Sequence, residues 1–252
     1  MSHFTVLVIG NDVEEQLEPF YELECSMDQE EMRNDSRAEF VEELTTEELK
    51  EDFIKNKNDH PERYYETLED FASEYHGYIK DEFDDVWGRF TNPNSKWDWY
   101  QIGGRWSGMF KIKENPKYPD DIQIGTPGVF GNQPTTGYAD SIRLCDVDFE
   151  GMKKDKIEIA EKNWEAAQKE TEKSTIYWKY GIEKDETREK FIENSSRFST
   201  YALLKDGKWY AKGEMGWWAV SSNEDENWAE EFDKMIKSLP EDTLLTVVVC
   251  HI

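Results

Sequence analysis

The sequence predicts an α+β fold: a ferredoxin-like antiparallel sheet with packed helices and a helical, aromatic-rich insertion. Three observations carry this. The chain opens on a β-rich apolar run, "HFTVLVIG", that passes into a short helix signal, "NDVEEQLEPFYEL". It ends on a hairpin signal and a helix signal followed by a near-continuous apolar strand, "TLLTVVVCHI", the pattern of a central position. A β-α start and a β-β-α-β finish are the element order of a ferredoxin-like sandwich, with the middle of the chain inserted. In that topology the first and last strands are antiparallel neighbours. His3 and His251 then lie together at one end of the sheet, and Cys250 points to the opposite face.

The first strand closes on Gly10, and Asp12 and Glu15 stand at capping-box spacing before a helix that Pro19 bends or ends. Residues 28–57 turn acidic, with Thr45 and Glu48 as a T-x-x-E cap ahead of Leu49, Phe53 and Ile54. Residues 28–90 read as a helical insertion within a single domain spanning 1–252. Tyr64, Leu68, Phe71 and Tyr75 recur at helical spacing up to Gly77. "DWYQIGGRWSGMFKIK" carries aromatic and β-branched residues on both sides of Gly103 and Gly104, which predicts a hairpin or bulged strand. Residues 115–137 are punctuated by Pro and Gly and read as a long loop. "YADSIRLCDVDFEGM" predicts one more strand, and alternation would put Asp146, Asp148 and Glu150 on one face of it. Ile157, Ala160, Trp164, Ala167 and Thr171 step by three and four along a long helix. "STYALLKDGKWYAKGEMGWWAVSS" is a strand pair about the Asp206–Gly207 turn signal with a third aromatic strand behind it. Asn223 and Glu226 are placed to cap a helix carrying Trp228, Phe232, Met235 and Leu239, which Pro240 ends.

Hydrophobic residues make up only 37% of the 252, but aromatics reach 14% and include ten Trp. Each ring supplies roughly 150–250 Å² of area to bury, so a folded protein is expected. The formal net charge of -26 repels phosphate backbones, which argues against direct nucleic-acid binding, and it attracts basic protein surfaces. Cys25, Cys145 and Cys250 are far apart and form no C-x-x-C, so reduced thiols are expected rather than disulfides or a zinc site. The opening lacks a cationic signal region, and no apolar run approaches the roughly 20 residues of a membrane span. The expectation is a cytoplasmic protein without a membrane segment.

No zinc-protease, nucleophile-elbow, phosphate-loop or dinucleotide motif occurs, so no catalytic residue, cofactor or metal is expected. The His3 and His251 pair has the chemistry of a metal or acid-base site, although spacing ties no third ligand to it and surface histidines are the simpler reading. Cys145 sits beside Asp146 and Asp148, which disfavour a thiolate. Those carboxylates with Glu150 suit either a hard cation or a plain acidic face. His60 precedes Pro61 and His76 ends a helix signal, where a histidine serves the helix dipole.

The richest candidate is "KWDWYQIGGRWSG", residues 96–108. On a strand, Trp97 and Trp99 share one face and Tyr100 the other. Gly103 and Gly104 admit another backbone or a flat ligand, while Arg105, next to Trp106, can stack on a ring and still present two donors to an anion. Arg143 and Lys111 are possible helpers. The alternative is core, with these rings packed against Trp209, Trp217 and Trp218. Arg105 decides between them: a guanidinium opening into an aromatic cleft means a platform, and one paired with a local carboxylate over buried rings means core.

The opening "MSHFTVLVIGNDVEEQLEPF" and the later "NPNSKWDWYQIGGRWSG", with "DVDFEGM" as a third motif, resemble a group of uncharacterised proteins carried by tailed bacteriophages and some bacteria. The resemblance implies a phage setting and assigns no catalytic residue. The function expected is a non-enzymatic phage accessory protein that blocks a host defence factor or sequesters a small nucleotide-like ligand, with residues 115–137 as a lid. The alternatives are a metal-dependent enzyme acting on a nucleotide, and an acidic mimic of nucleic acid that occupies a basic host protein.

Overall fold

A computed structural model describes residues 2–23, 28–81, 83–127, 136–171, 173–216 and 220–252. The chain divides into two compact units, one made of Met1–Gln16 with Trp99–Ile252 and the other of Leu17–Asp98. Both helices and sheets are present, so the fold is α+β.

Strand β1 (His3–Ile9) is buried throughout Val6, Leu7, Val8 and Ile9, as its apolar run predicts. Gly10 turns at a φ of 97° towards α1 (Val13–Leu17), which tightens into a 3-10 turn at Glu18–Phe20 where Pro19 has no N–H to donate.

The unit from Leu17 to Asp98 contains α2 (Gln29–Met32), β2 (Glu39–Thr45), α3 (Thr46–Asp59), α4 (Leu68–Asp70), β3 (Ile79–Lys80) and β4 (Val86–Thr91). Its strands form an antiparallel sheet in the order β2-β4-β3, so the acidic stretch is not helical throughout. The reason is a cross-strand pair out of reach of local spacing: Phe40 meets Phe90 with ring centroids 5.3 Å apart. Thr45 then switches strand to helix through a complete capping box with Glu48. A second box, Thr67 with Asp70, starts α4 three residues beyond Tyr64, which is exposed and outside the helix. α4 widens into a π turn at Phe71–His76 and stops at Gly77, whose φ is 70°. Leu49, Phe71, Ala72 and Trp87 form the buried cluster of this unit.

The other unit continues with β5 (Trp99–Gly104), β6 (Phe110–Lys111), β7 (Thr126–Pro127), β8 (Tyr138–Ala139) and β9 (Ser141–Arg143). Three helices follow: α5 (Phe149–Ala167), α6 (Lys173–Tyr180) and α7 (Arg188–Ser196). The chain closes with β10 (Ala202–Lys205), β11 (Lys208–Ala211), β12 (Glu214–Met215), β13 (Ser221–Ser222), α8 (Trp228–Lys237) and β14 (Leu244–His251). The main sheet runs β11-β10-β1-β14-β5-β7, with β9 also on β14. β1 and β14 are antiparallel neighbours, and His3 pairs with His251 in register. β14 is buried from Leu245 to Cys250, as its near-continuous apolar run predicts.

The strand order differs from the ferredoxin-like one, in which the second hairpin strand would lie against β1. Here β10 takes that place, parallel to β1, and β11 is the edge. Composition explains the exchange. Ala202, Leu203 and Leu204 are all fully buried in β10, whereas β11 exposes Lys208 and Tyr210 and suits an edge.

Three local readings also change. The segment after Gly104 does not fold back on β5, because β6 pairs with β8. Leu144–Asp146 is a 3-10 turn, and Asp148 caps α5 by accepting the Gly151 N–H at 2.9 Å, so Asp146, Asp148 and Glu150 do not share a strand face. α8 starts at Trp228, while Asn223, at a φ of 52°, binds Glu214 instead of capping. The core of the unit gathers Leu7, Phe110, Ile142, Phe232, Leu245 and Val247. Trp228 joins them with its Nε1 donating to the Thr200 carbonyl at 2.8 Å.

Candidate functional site

β5 pairs Trp99 with His251 and Tyr100 with Cys250 on β14, then ends in two consecutive glycines in the left-handed region. Gly103 has φ 82° and Gly104 φ 56°. A Cβ at Gly103 would stand 2.7 Å from Asp140 Oδ2, and one at Gly104 2.9 Å from Val249 Cγ2. Glycine is therefore required twice over, by backbone angle and by space. Arg105 and Trp106 form the tip of the turn, which closes as the Ser107 N–H donates to the Gly104 carbonyl at 3.2 Å.

Asp140, fully buried, holds this turn from behind. Its carboxylate accepts the Ser107 hydroxyl at 2.7 Å, the Gly108 N–H at 2.6 Å and the Gly125 N–H at 2.8 Å. Its own backbone donates to the Gln123 carbonyl and accepts from the Val247 N–H. A buried carboxylate needs such donors to offset its lost hydration. The turn is thereby tied to a buried group from a distant segment.

The residues singled out by sequence separate into different environments. Trp97 precedes β5 and belongs to the Leu17–Asp98 unit, where it is buried, donates from Nε1 to the Leu17 carbonyl at 3.0 Å and lies 4.9 Å from the Tyr21 ring. It therefore does not share a strand face with Trp99. Trp99 and Trp106 are 49% and 37% exposed, far from buried core. Tyr100 is half-buried, and burial, followed by the Glu14 carboxylate, pushes its phenol up from the usual value. Arg105 is exposed, with its guanidinium 5.7 Å over the Trp106 ring. Among the described residues no carboxylate pairs with it, and it does not line the groove among α5, α7 and α8. The suggested helpers are engaged elsewhere, Arg143 with Asp121 at 2.6 Å and Lys111 with Asp155 at 2.6 Å. Trp217, Trp218, Cys25 and residues 128–135 of the long loop lie outside the described residues.

The His3 and His251 rings meet edge to face with centroids 4.9 Å apart. Among the described residues, no group of three or more His, Cys, Asp or Glu is gathered as a metal site. Cys145 is held as a thiol, pushed up by burial first and then by Asp146. Asp146 itself is buried, accepting the Lys117 and Tyr118 N–H groups at 2.6 and 2.8 Å. It anchors the start of the long loop. His60 lies 3.5 Å from Glu62, and His76 Nε2 lies 2.9 Å from Asp52 at the end of the π turn. No described helix is long and apolar enough to cross a membrane.

A concave feature of about 1280 Å³ lies among α5, α7 and α8, and none of the turn residues lines it. No sequence signal announced it, because its walls come from segments that are far apart along the chain. No known protein family, no curated protein and no solved structure matches this chain.

Proposed function

We propose that the chain is a non-enzymatic binding protein, a phage-type accessory factor that grips a host protein in the cytoplasm through the Trp99, Arg105 and Trp106 turn. One contrast carries this reading: the buried Asp140 carboxylate takes two hydrogen bonds from the turn, from the Ser107 hydroxyl and the Gly108 N–H, while the side chains at its tip stand in solvent. Rigid presentation lowers the ordering cost of association. Trp and Arg are the side chains that dominate binding energy at protein interfaces. The -26 charge steers a basic partner towards the chain, and the resemblance of the opening and Trp-rich motifs to phage proteins supports the setting.

A nucleotide-like ligand is the second reading, favoured by the guanidinium stacked on Trp106. It is the weaker one. Arg105 already covers a face of that ring, and small-ligand sites are concave whereas this tip is exposed.

The test compares wild type with Trp99→Ala, Arg105→Ala and Trp106→Ala by crosslinking capture from host extract and by titration with a nucleotide panel. Trp178→Ala, at a tryptophan 83% exposed elsewhere, serves as control. Loss of one captured protein in the three turn variants alone supports the reading. Folded turn variants that capture as well as wild type overturn it. Capture that falls away entirely at high salt, whatever the turn carries, favours an acidic mimic instead.

A further inference from the structure

The groove among α5, α7 and α8 is independent of the turn. Its apolar surface comes from Ile157 of α5, Ile192 of α7 and Phe198 just beyond it, backed by the buried Met152, Phe232 and Ile236. Lys156 of α5 lines the same space. Its Nζ donates to the Arg197 carbonyl at 2.8 Å and lies 5.7 Å from the centre of the Phe198 ring. No carboxylate among the described residues pairs with it, in a chain that has 56 acidic side chains for 30 Lys and Arg. Lys156 is half-buried, and partial burial draws its pKa below the ordinary lysine value.

Of the other cations of the wall, two are matched by carboxylates, and Lys113 donates to the Cys145 carbonyl at 2.6 Å. Arg197 pairs with Glu193 at 2.7 Å and Lys237 with Asp233. Lys156 is the one set against an apolar ring, Phe198, and of the three donors of its ammonium one goes to a neutral carbonyl. A ligand carboxylate would supply the missing charge in a setting where charge-assisted bonds are strong.

We propose that this groove binds a long-chain monocarboxylic acid, with its alkyl chain along Ile157, Ile192 and Phe198 and its carboxylate on Lys156. Volume and charge select this class. At about 1280 Å³ the groove exceeds the roughly 300–1,000 Å³ of a compact ligand site and suits an extended chain. Glu150, Glu189 and Glu230 also stand on its wall and disfavour ligands with several negative charges, such as nucleoside polyphosphates.

The experiment titrates the full chain with oleic acid, oleyl alcohol and oleylamine, using displacement of a fluorescent polyene fatty acid as readout. Wild type should prefer the acid to the alcohol by about ten- to a hundredfold, the worth of one or more bonds to a charged group. Lys156→Met should remove that preference while leaving alcohol binding in place, and Lys156→Arg should keep it. Ile192→Asp should weaken acid and alcohol alike. Equal binding of acid and alcohol by wild type, preference for the amine, or an unchanged acid preference in folded Lys156→Met would overturn the proposal. The wild-type comparison decides the matter even if Lys156→Met does not fold. The turn variants should bind the acid normally, so failure of either site is visible separately.

Discussion

Asp140 Oδ1 accepts the backbone N–H of Gly108 at 2.6 Å, across 32 positions of sequence, and through that bond a buried side chain shapes an exposed turn. Asp140→Asn places an amide NH₂ where one carboxylate oxygen accepts from Ser107 and Gly125. An unsatisfied buried donor costs about 1–3 kcal/mol. The expected result is a Tm lower by a few degrees with partner capture reduced, measured by calorimetry and by the crosslinking assay. Arg105→Ala, at the exposed tip of the same turn, should change stability by no more than about 0.5 kcal/mol.

Trp97 and Trp99 stand two positions apart and should behave as opposites. Trp97→Ala removes a buried indole and its bond to the Leu17 carbonyl, so the loss expected is about 3–5 kcal/mol. Trp99→Ala and Trp106→Ala should each cost under about 1 kcal/mol and remove fluorescence that acrylamide quenches readily. Denaturant titration of the three variants checks the order.

Gly104 and Gly207 share a positive φ, at 56° and 69°, but only the first is crowded. A Cβ at Gly207 meets nothing within 4 Å, whereas at Gly104 it would press on Val249. Gly207→Ala should therefore cost about 1–2 kcal/mol from backbone angle alone. Gly104→Ala should cost distinctly more, and urea unfolding of the pair measures the difference.

In the Leu17–Asp98 unit, hydrogen bonds from the Arg37 guanidinium and backbone hold the Asp35 carboxyl at about 2, down from 3.8. The folded value is the lower one, so this stabilisation is fully present above pH 4 and is lost as pH falls through about 2. Asp35→Asn should lower stability near pH 5 and match wild type near pH 2, followed by unfolding at each pH. A difference that persists undiminished to pH 2 would contradict the assignment.

Much of the local structure was legible. The apolar runs at Val6–Ile9 and Leu245–Cys250 forecast two adjacent buried strands, because a strand buried on both faces has no polar alternation to keep. The Thr45 and Glu48 cap, the left-handed stop at Gly77 and the stripe along α5 were equally readable, since each acts within a turn or two of the chain. Gly103 and Gly104 stand out in the sequence between aromatic residues, and the structure gives the reason: only glycine fits at either position.

What the sequence determined by itself, then, was the two apolar central strands, β1 and β14, the Thr45–Glu48 helix start and the stop at Gly77, and a charge of -26. Tertiary structure decided the rest. It put β10 rather than β11 beside β1, drew Trp97 into one unit and left Trp99 in solvent on the other, set Asp140 under the turn, and laid Lys156 against Phe198. Propensities and caps act over a few residues, whereas burial and hydrogen bonding between distant segments are settled only when those segments meet.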